Sequence, residues 1–240
     1  LFIWQQTHTF GPLILYNLVS FSALLAVYVL SGYWLRRYSA RTLVKLGNAA
    51  AVLFFLLLLA LQDQATKFLL PLALVNGLSG GLFWSGFNLH QYLATYQQAR
   101  DYFFGVQEFW SNLARITGPI LGGLIITAGN YFNPTQPLSG YYLLFFITAV
   151  IMAFATRDTI NFPRFSEVDF KLIQFKAIFR RNPPFKSILQ QQALWGLRDV
   201  SLGTLVAIIT FLLLQQEFHV GVYNAFAGLL SAAGAFIAGK

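Results

Sequence analysis

Of the 240 residues, 57% are hydrophobic and only 10% are charged, whereas soluble globular domains carry roughly a quarter charged residues. A single globular core of this length cannot hide so much apolar surface, so the composition excludes an ordinary soluble enzyme and requires lipid around the chain. The chain has no cysteine, which excludes disulfides, thiolate metal sites and cysteine nucleophiles.

Seven apolar runs are long enough to cross a membrane as helices. A bilayer core about 30 Å thick needs roughly 20 apolar residues in helical conformation. The runs lie at residues 11–35, 43–61, 68–94, 103–128, 138–156, 187–214 and 220–239. The sequence therefore predicts an all-α fold, a polytopic transmembrane helical bundle, in a multi-pass protein of the cell membrane.

Lysine and arginine side chains concentrate in alternate connections between these runs. Thirteen of the 16 lie in or beside the first, third and fifth connections or directly after the last run, whereas Lys67 alone lies in the remaining connections. Short cytoplasmic loops hold such an excess, so we predict that this end of the bundle is cytoplasmic and the opposite end external. The net charge of +8 reflects this topology and forms no single patch, so no nucleic-acid partner is expected.

The fifth connection is the long one and has the pattern of an amphipathic helix. Ser166 followed by Asp169 is a helix-capping signal, and Asn182 with the two prolines after it ends the pattern. Such a helix suits an anionic membrane surface, so we predict a cytoplasmic linker at 157–186 that contacts membrane lipids. A regulatory or partner-binding helix is the alternative. The apolar positions are Val168, Leu172, Phe175 and Phe179, and the basic ones are Lys171, Lys176, Arg180 and Arg181.

A weak internal repeat relates the first run to the last. The first copy has Gln5-Gln6, Gly11, Tyr16-Asn17 and Gly32, and the second has Gln215-Gln216, Gly221, Tyr223-Asn224 and Gly239. On this interpretation residues 1–4 end an earlier span. We expect an N-terminal transmembrane bundle at 1–156 with its first span truncated, the linker at 157–186, and the start of a truncated C-terminal bundle at 187–240. Six helices, a linker and six more helices is the parallel-repeat plan of many secondary transporters.

The connection after the first run carries a glycine and basic residues at characteristic spacing. Gly32 is followed by Arg36-Arg37, Ser39 and Arg41. This loop resembles the signature of the major facilitator superfamily, which has an acidic residue at the position of Arg36 and a second glycine at Ser39. In the family that acidic residue helps to latch neighbouring helices, so Arg36 changes how the outward-open state is held. An ordinary positively charged cytoplasmic loop is the alternative.

The fourth run contains small residues around a proline. Small residues let helix backbones approach closely, and a mid-helix proline bends the helix. The spacing resembles the span-five signature of proton-coupled exporters in the same superfamily, with Ala114 in place of one glycine. The basic residue that those exporters carry in span four is absent from residues 73–77. The matching residues are Gly105, Gly118, Pro119, Gly122 and Gly123.

Ionisable groups inside the predicted spans are few and are candidates for function, because each costs about 2.5 kcal/mol or more at the bilayer centre. Glu108, Asn112 and Arg115 share one helix face, where they line a transport cavity or form a structural ion pair. Arg198 and Asp199 are adjacent and point about 100° apart, so each needs its partner elsewhere. The candidates for the transport cavity and for proton coupling are Glu108, Asn112, Arg115, Arg198, Asp199 and Asn88. His90 beside Asn88 is interpreted as a satisfied interfacial side chain, and a proton relay is the alternative.

The resemblance implies a secondary active transporter that works by alternating access, and the span-five signature implies proton-coupled export of small molecules. A solute importer and a non-transporting membrane sensor on the same fold are the alternatives. A retinal protein needs a lysine within its last span. Because Lys240 lies at the very end of the last span, its position argues against a retinal protein. No residues at a membrane face indicate an enzyme, and no metal-ligand spacing or phosphate loop occurs, so neither a metal nor a cofactor is expected. The expected partners are a small-molecule substrate, protons and membrane lipids.

Overall fold

The computed structural model describes residues 1–95, 97–133, 135–136, 138–162 and 182–238. Within these ranges it describes the side chains except at 97–101, 185, 195, 197, 199–204 and 231–238. The described ranges contain no strand. Two short 3-10 helices occur there, at Gln62–Phe68 and Thr159–Asn161. The all-α prediction is confirmed, and each predicted span coincides with one of the helices after the first. The described α-helices are α1 (Phe2–Thr7), α2 (Phe10–Trp34), α3 (Ala40–Leu61), α4 (Leu69–Ala94), α5 (Gln97–Phe132), α6 (Ser139–Asp158), α7 (Pro183–Leu214) and α8 (Glu217–Ala238).

The outer surface of the bundle is suited to lipid. Within the described residues, three stretches are long and apolar enough to cross a membrane, at Phe10–Trp34, Ala40–Ala94 and Ser139–Asn161. They contain α2, α3, α4 and α6. The apolar side chains of α2 remain exposed, with Ile14 at 62% and Leu18 at 64% of their full accessible surface. Exposure of so much apolar surface to water is unfavourable, whereas lipid accommodates it, so the chain is a membrane-embedded protein.

Helices α2, α3 and α4 pack closely because small residues line their contacts. The backbone of Gly77 in α4 touches the carbonyl oxygen of Ser20 in α2, so a side chain there would collide with the main chain. Polar side chains add hydrogen bonds across the same contacts. Asn76 donates to Ser20 Oγ at 2.9 Å, and Ser79 donates to the carbonyl oxygen of Gly47 in α3 at 3.0 Å. Close backbone approach with interhelical hydrogen bonds is how helices associate in lipid.

Buried apolar side chains form a cluster at each end of the bundle. The cluster at the predicted cytoplasmic end joins the end of α2 to the start of α3 and to α4 through Leu35, Ala40, Leu43 and Leu82. The cluster at the predicted external end is larger and joins five α-helices with the first 3-10 helix. Its members are Phe2, Phe54, Leu58, Ala65, Leu72, Ile126, Tyr141 and Phe145.

The last two helices are attached to the others at the predicted external end. Helix α8 packs along α5. Helix α7 contacts α8 and inserts Ile208, which is 2% exposed, between Trp4 of α1 and Leu13 of α2. The predicted N-terminal and C-terminal bundles therefore meet along α5 and α8 and around α1.

The turn before α2 and the turn before α8 correspond in the internal repeat. His8 and Gln215 both have positive φ, at 50° and 57°, and the same number of residues separates them as separates Tyr16 from Tyr223. The glutamine match is wrong in register, because Gln5 and Gln6 lie inside α1 whereas Gln215 and Gln216 form the turn itself. The glycine match fails as well. Gly11 meets no atom within 4 Å, whereas Gly221 packs against Pro119.

The two prolines near the end of the predicted linker, 157–186, begin a helix. Pro183 and Pro184 are the first residues of α7, where a missing N–H costs nothing and a fixed φ favours helix. The predicted amphipathic helix of the linker falls within 163–181 and lies outside the described residues.

Candidate transport site

The row of small residues in α5 forms a close contact with the start of α8. A side chain added at Gly123 would lie 2.7 Å from the carbonyl oxygen of Glu217 and 2.8 Å from Phe218 Cα, and the backbone of Gly221 touches the carbonyl group of Pro119. The contact is therefore made by main chain against main chain. At the other signature glycines, Gly105, Gly118 and Gly122, an added side chain would meet no described atom within 4 Å.

The polar residues predicted on one face of α5 lie on the same face of the helix that makes this contact with α8. Glu108, Asn112, Arg115 and Pro119 recur at intervals of four, three and four residues, which places them in one row along the helix. Because Pro119 contacts α8, the three polar side chains lie on the side of α5 that faces α8, nearer the predicted cytoplasmic end. Glu108 and Arg115 are exposed, and Asn112 is half-buried.

Glu108 and Arg115 do not neutralise each other. Among the described side chains no ion pair joins them, and no hydrogen bond to a described residue occupies Glu108, Asn112 or Arg115. Both interpretations of this face, a transport cavity and a structural ion pair, therefore stay predictions. Two opposite charges and an amide stand along an open face between α5 and α8.

The other intramembrane candidates are not gathered at this face by any described contact. Asn88 is exposed on α4 and donates to the hydroxyl oxygen of Tyr28 in α2 at 3.4 Å. Arg198 is exposed on α7. The side chain of Asp199 lies outside the described set. Among the predicted cavity residues whose side chains the structure describes, those of α5 share one helix face, whereas Asn88 contacts Tyr28.

The signature loop between α2 and α3 has two structural roles in this chain. Ser39, at the position of the family's second glycine, caps α3 by accepting the backbone N–H of Thr42 at 3.3 Å. Arg41 reaches the far end of α6, where it donates to the carbonyl oxygens of Ile160 and Phe162. Arg36 and Arg37 are exposed, and the Arg36 guanidinium lies 6.0 Å from the centre of the Tyr33 ring. Gly32 lies half-buried within α2.

Further contacts that the sequence did not reveal hold the end of α6 next to Arg41. Asn48 of α3 donates to Thr159 Oγ1 at 3.4 Å. His90 of α4 stacks on Phe162, with ring centres 4.6 Å apart and planes 16° from parallel. His90 thus has a packing role at the predicted cytoplasmic end, and its interpretation as an interfacial side chain stays a prediction.

At the predicted external end, sequence reasoning missed a polar junction around Glu217. Its Oε1 atom accepts hydrogen bonds from Gln5 Nε2 at 3.1 Å and from the Tyr141 hydroxyl at 3.2 Å. A glutamate at the start of a helix is favourable on its own because of the helix dipole, so the residue gave no signal of a distant partner. The partners come from α1 and α6.

A cavity of about 290 Å³ lies at the same end, next to α1. Its described lining is almost wholly apolar and includes Phe2, Leu13 and Phe145, with Tyr16 and Asn17 as the polar members. None of the predicted cavity residues on α5 belongs to this lining.

The fold and these contacts define a polytopic α-helical membrane protein whose two groups of helices meet along α5 and α8 and around α1. Residues 3–240 match the Major Facilitator Superfamily, and the chain belongs to that superfamily of membrane transporters, as the two signature segments predict.

Two curated relatives are similar to this chain over long stretches of sequence. The chain is 24% identical over 237 residues to "Uncharacterized protein YqgE" of Bacillus subtilis (strain 168), covering 99% of this chain and 53% of that protein. It is 28% identical over 128 residues to "Uncharacterized protein in sodM 3'region" of Geobacillus stearothermophilus, covering 53% of this chain and 60% of that protein. The chain thus spans about half the length of the first relative and matches somewhat more of the second. No solved structure matches.

Proposed function

We propose that the chain is part of a secondary active transporter that exports small molecules in exchange for protons by alternating access. The observation that carries the proposal is the backbone contact of α5 with α8 at Pro119, Gly123 and Gly221. It joins the two predicted bundles at one end, and a row of polar residues follows it along α5.

The α5–α8 contact suits two bodies that rock against each other. Interdigitated side chains hold helices in one arrangement, whereas at Gly123 and Gly221 main chain meets main chain without an intervening side chain. Such a surface opens and closes at small cost in repacking. Alternating access in secondary transporters moves one repeat against the other around a fixed site, and this contact lies between the two predicted bundles.

The polar face of α5 supplies groups for substrate and proton. Glu108 offers a carboxylate that binds a proton, and Arg115 offers a permanent positive charge for an anionic group. The absence of an ion pair between them leaves both charges available, as far as the described residues go. We propose Glu108 as the coupling residue on α5, with Asp199 on α7 as the second carboxylate, and Asn112, Arg198 and Asn88 as further polar residues of the cavity.

The test uses the full-length protein in inside-out membrane vesicles that carry an acid interior and a pH-sensitive dye. Addition of a transported compound is expected to release protons from the vesicles and to accumulate the compound inside. Glu108→Gln is expected to remove the compound-induced proton release. Asp158→Asn, which changes an exposed carboxylate at the end of α6, is the matched control and retains it.

Each other outcome identifies an alternative. Loss of the compound from the vesicles together with protons indicates an importer. Specific binding of a compound without any movement of it indicates a sensor on the same fold. Unchanged proton release in Glu108→Gln removes Glu108 from the coupling step.

A further inference from the structure

Glu217 is the point at which α8 contacts three helices of the other predicted bundle, two of them through hydrogen bonds. Its carboxylate accepts from Gln5 of α1 and from Tyr141 of α6 through the same oxygen, at 3.1 and 3.2 Å. Its main-chain carbonyl lies where Gly123 of α5 leaves no room for a side chain. One residue at the first position of α8 therefore contacts α1, α5 and α6 together.

The hydrogen bonds of this junction are long, and they lie in partly buried surroundings. Tyr141 is only 4% exposed, and Val220 on the next turn of α8 is also 4% exposed. A hydrogen bond to a carboxylate is about twice as strong as one between neutral groups, and low exposure limits competition from water. Among the described residues, these two bonds are the side-chain hydrogen bonds that join α8 to helices α1 to α6.

We propose that Glu217 is the positioning residue that holds the transporter closed at the predicted external end. The inference rests on the proposed alternating access. While Gln5 and Tyr141 donate to Glu217, the start of α8 is held against α5 and the path to the outside is shut. Breaking these bonds lets α8 swing away from α5 and α6, which opens that end. In this proposal the hydrogen bonds of Glu217 hold the contact of α5 with α8 at Gly123 and Gly221 closed.

Two adjacent tyrosines provide a matched pair of variants. The hydroxyl of Tyr141 donates to Glu217 on α8, whereas the hydroxyl of Tyr142 donates to Asp63 Oδ1 at 2.7 Å. Asp63 lies in the 3-10 helix between α3 and α4, so the second bond stays within the predicted N-terminal bundle. Tyr141→Phe and Tyr142→Phe each remove one bond between a hydroxyl and a carboxylate, and only Tyr141→Phe cuts a bond between the predicted bundles.

The readout is the rate at which a membrane-impermeant maleimide labels a single cysteine in the full-length protein, freed of any other cysteine. These 240 residues contain none. Val220→Cys reports on the junction, and Val44→Cys, at a position that is 1% exposed in α3, reports on general loosening at the other end. We expect Tyr141→Phe to raise the labelling of Val220→Cys by about tenfold, the change in equilibrium that loss of one hydrogen bond to a carboxylate brings. Glu217→Ala removes both bonds and should raise the labelling at least as much. Tyr142→Phe should leave it unchanged.

The outcomes separate this inference from the proposed function. Equal labelling in Tyr141→Phe, Tyr142→Phe and the unmodified protein overturns the role of Glu217, even if transport is measured. Faster labelling of both Val220→Cys and Val44→Cys also overturns it, because it indicates a purely structural loss. Faster labelling at Val220→Cys alone, in a protein that moves no compound, supports the junction while the transport proposal fails.

Discussion

Arg41 donates a hydrogen bond from its guanidinium group to the carbonyl oxygen of Ile160, at a distance of 2.8 Å. A second bond from the same nitrogen reaches the carbonyl oxygen of Phe162 at 3.3 Å. The last carbonyl groups of a helix lack partners within it and attract cations. A basic residue of the signature loop thus caps the 3-10 helix Thr159–Asn161 that directly follows α6.

The first prediction concerns this cap. Arg41→Gln should lower the thermal stability of the full-length protein in detergent by about 1 kcal/mol, because the end of α6 loses its charged donor. Arg37→Gln removes an exposed charge from the same loop and serves as the control. An equal loss of stability in both variants would show that loop charge, and not the cap, is responsible.

The second prediction concerns Ser39, which stands where the family has glycine. Its side chain caps α3 through the N–H of Thr42. Ser39→Ala should cost about 1 kcal/mol, while Ser39→Gly should cost only a few tenths of a kcal/mol, since glycine tolerates the capping position. Thermal melting of the two variants side by side measures the difference. A larger cost for glycine than for alanine would contradict the capping role.

The third prediction separates the glycines of the α5 signature. Gly123→Ala places a methyl group 2.7 Å from the carbonyl oxygen of Glu217, so α8 must move away from α5, and both stability and transport should fall. Gly105→Ala meets no described atom within 4 Å and should gain helix stability of about 1 kcal/mol. Melting temperature and transport rate check both variants. Similar effects at the two positions would contradict a specific contact at Gly123.

The fourth prediction concerns the stacking of His90 on Phe162. His90→Phe keeps an aromatic ring against Phe162 and should preserve the packing, whereas His90→Ala removes a pair worth about 0.5–1.5 kcal/mol beyond its buried area. Limited proteolysis of the linker after Phe162 measures whether the end of α6 is held. Equal cleavage rates in the two variants would show that the ring contact does not fix this segment.

Local sequence patterns predicted the helices but not the partners of most polar side chains. Hydropathy averaged over neighbouring residues in the chain is enough to predict the apolar runs that contain α2 to α8. The spacing of Pro119 and Gly123 correctly indicated a close helix contact. Glu217 and Tyr141 meet only because α6 and α8 converge in space, and no local pattern reports that. The glutamine match of the repeat was wrong because identical side chains at Gln5 and Gln215 occupy a helix and a turn.

The central claim is that α5 and α8 move against each other during transport. Ile116 of α5 and Gly228 of α8 face each other, since a Cβ atom at position 228 would lie 3.4 Å from Ile116 Cγ1. A cysteine sulfur at position 116 can occupy the place of that Cγ1 atom, and this separation is close to the one between a Cβ atom and the far sulfur of a disulfide. The direct measurement is transport by the full-length Ile116→Cys, Gly228→Cys variant in proteoliposomes, before oxidation, after oxidation and after reduction. The account predicts that oxidation stops transport and reduction restores it. Transport at the full rate in protein that is completely cross-linked would contradict it.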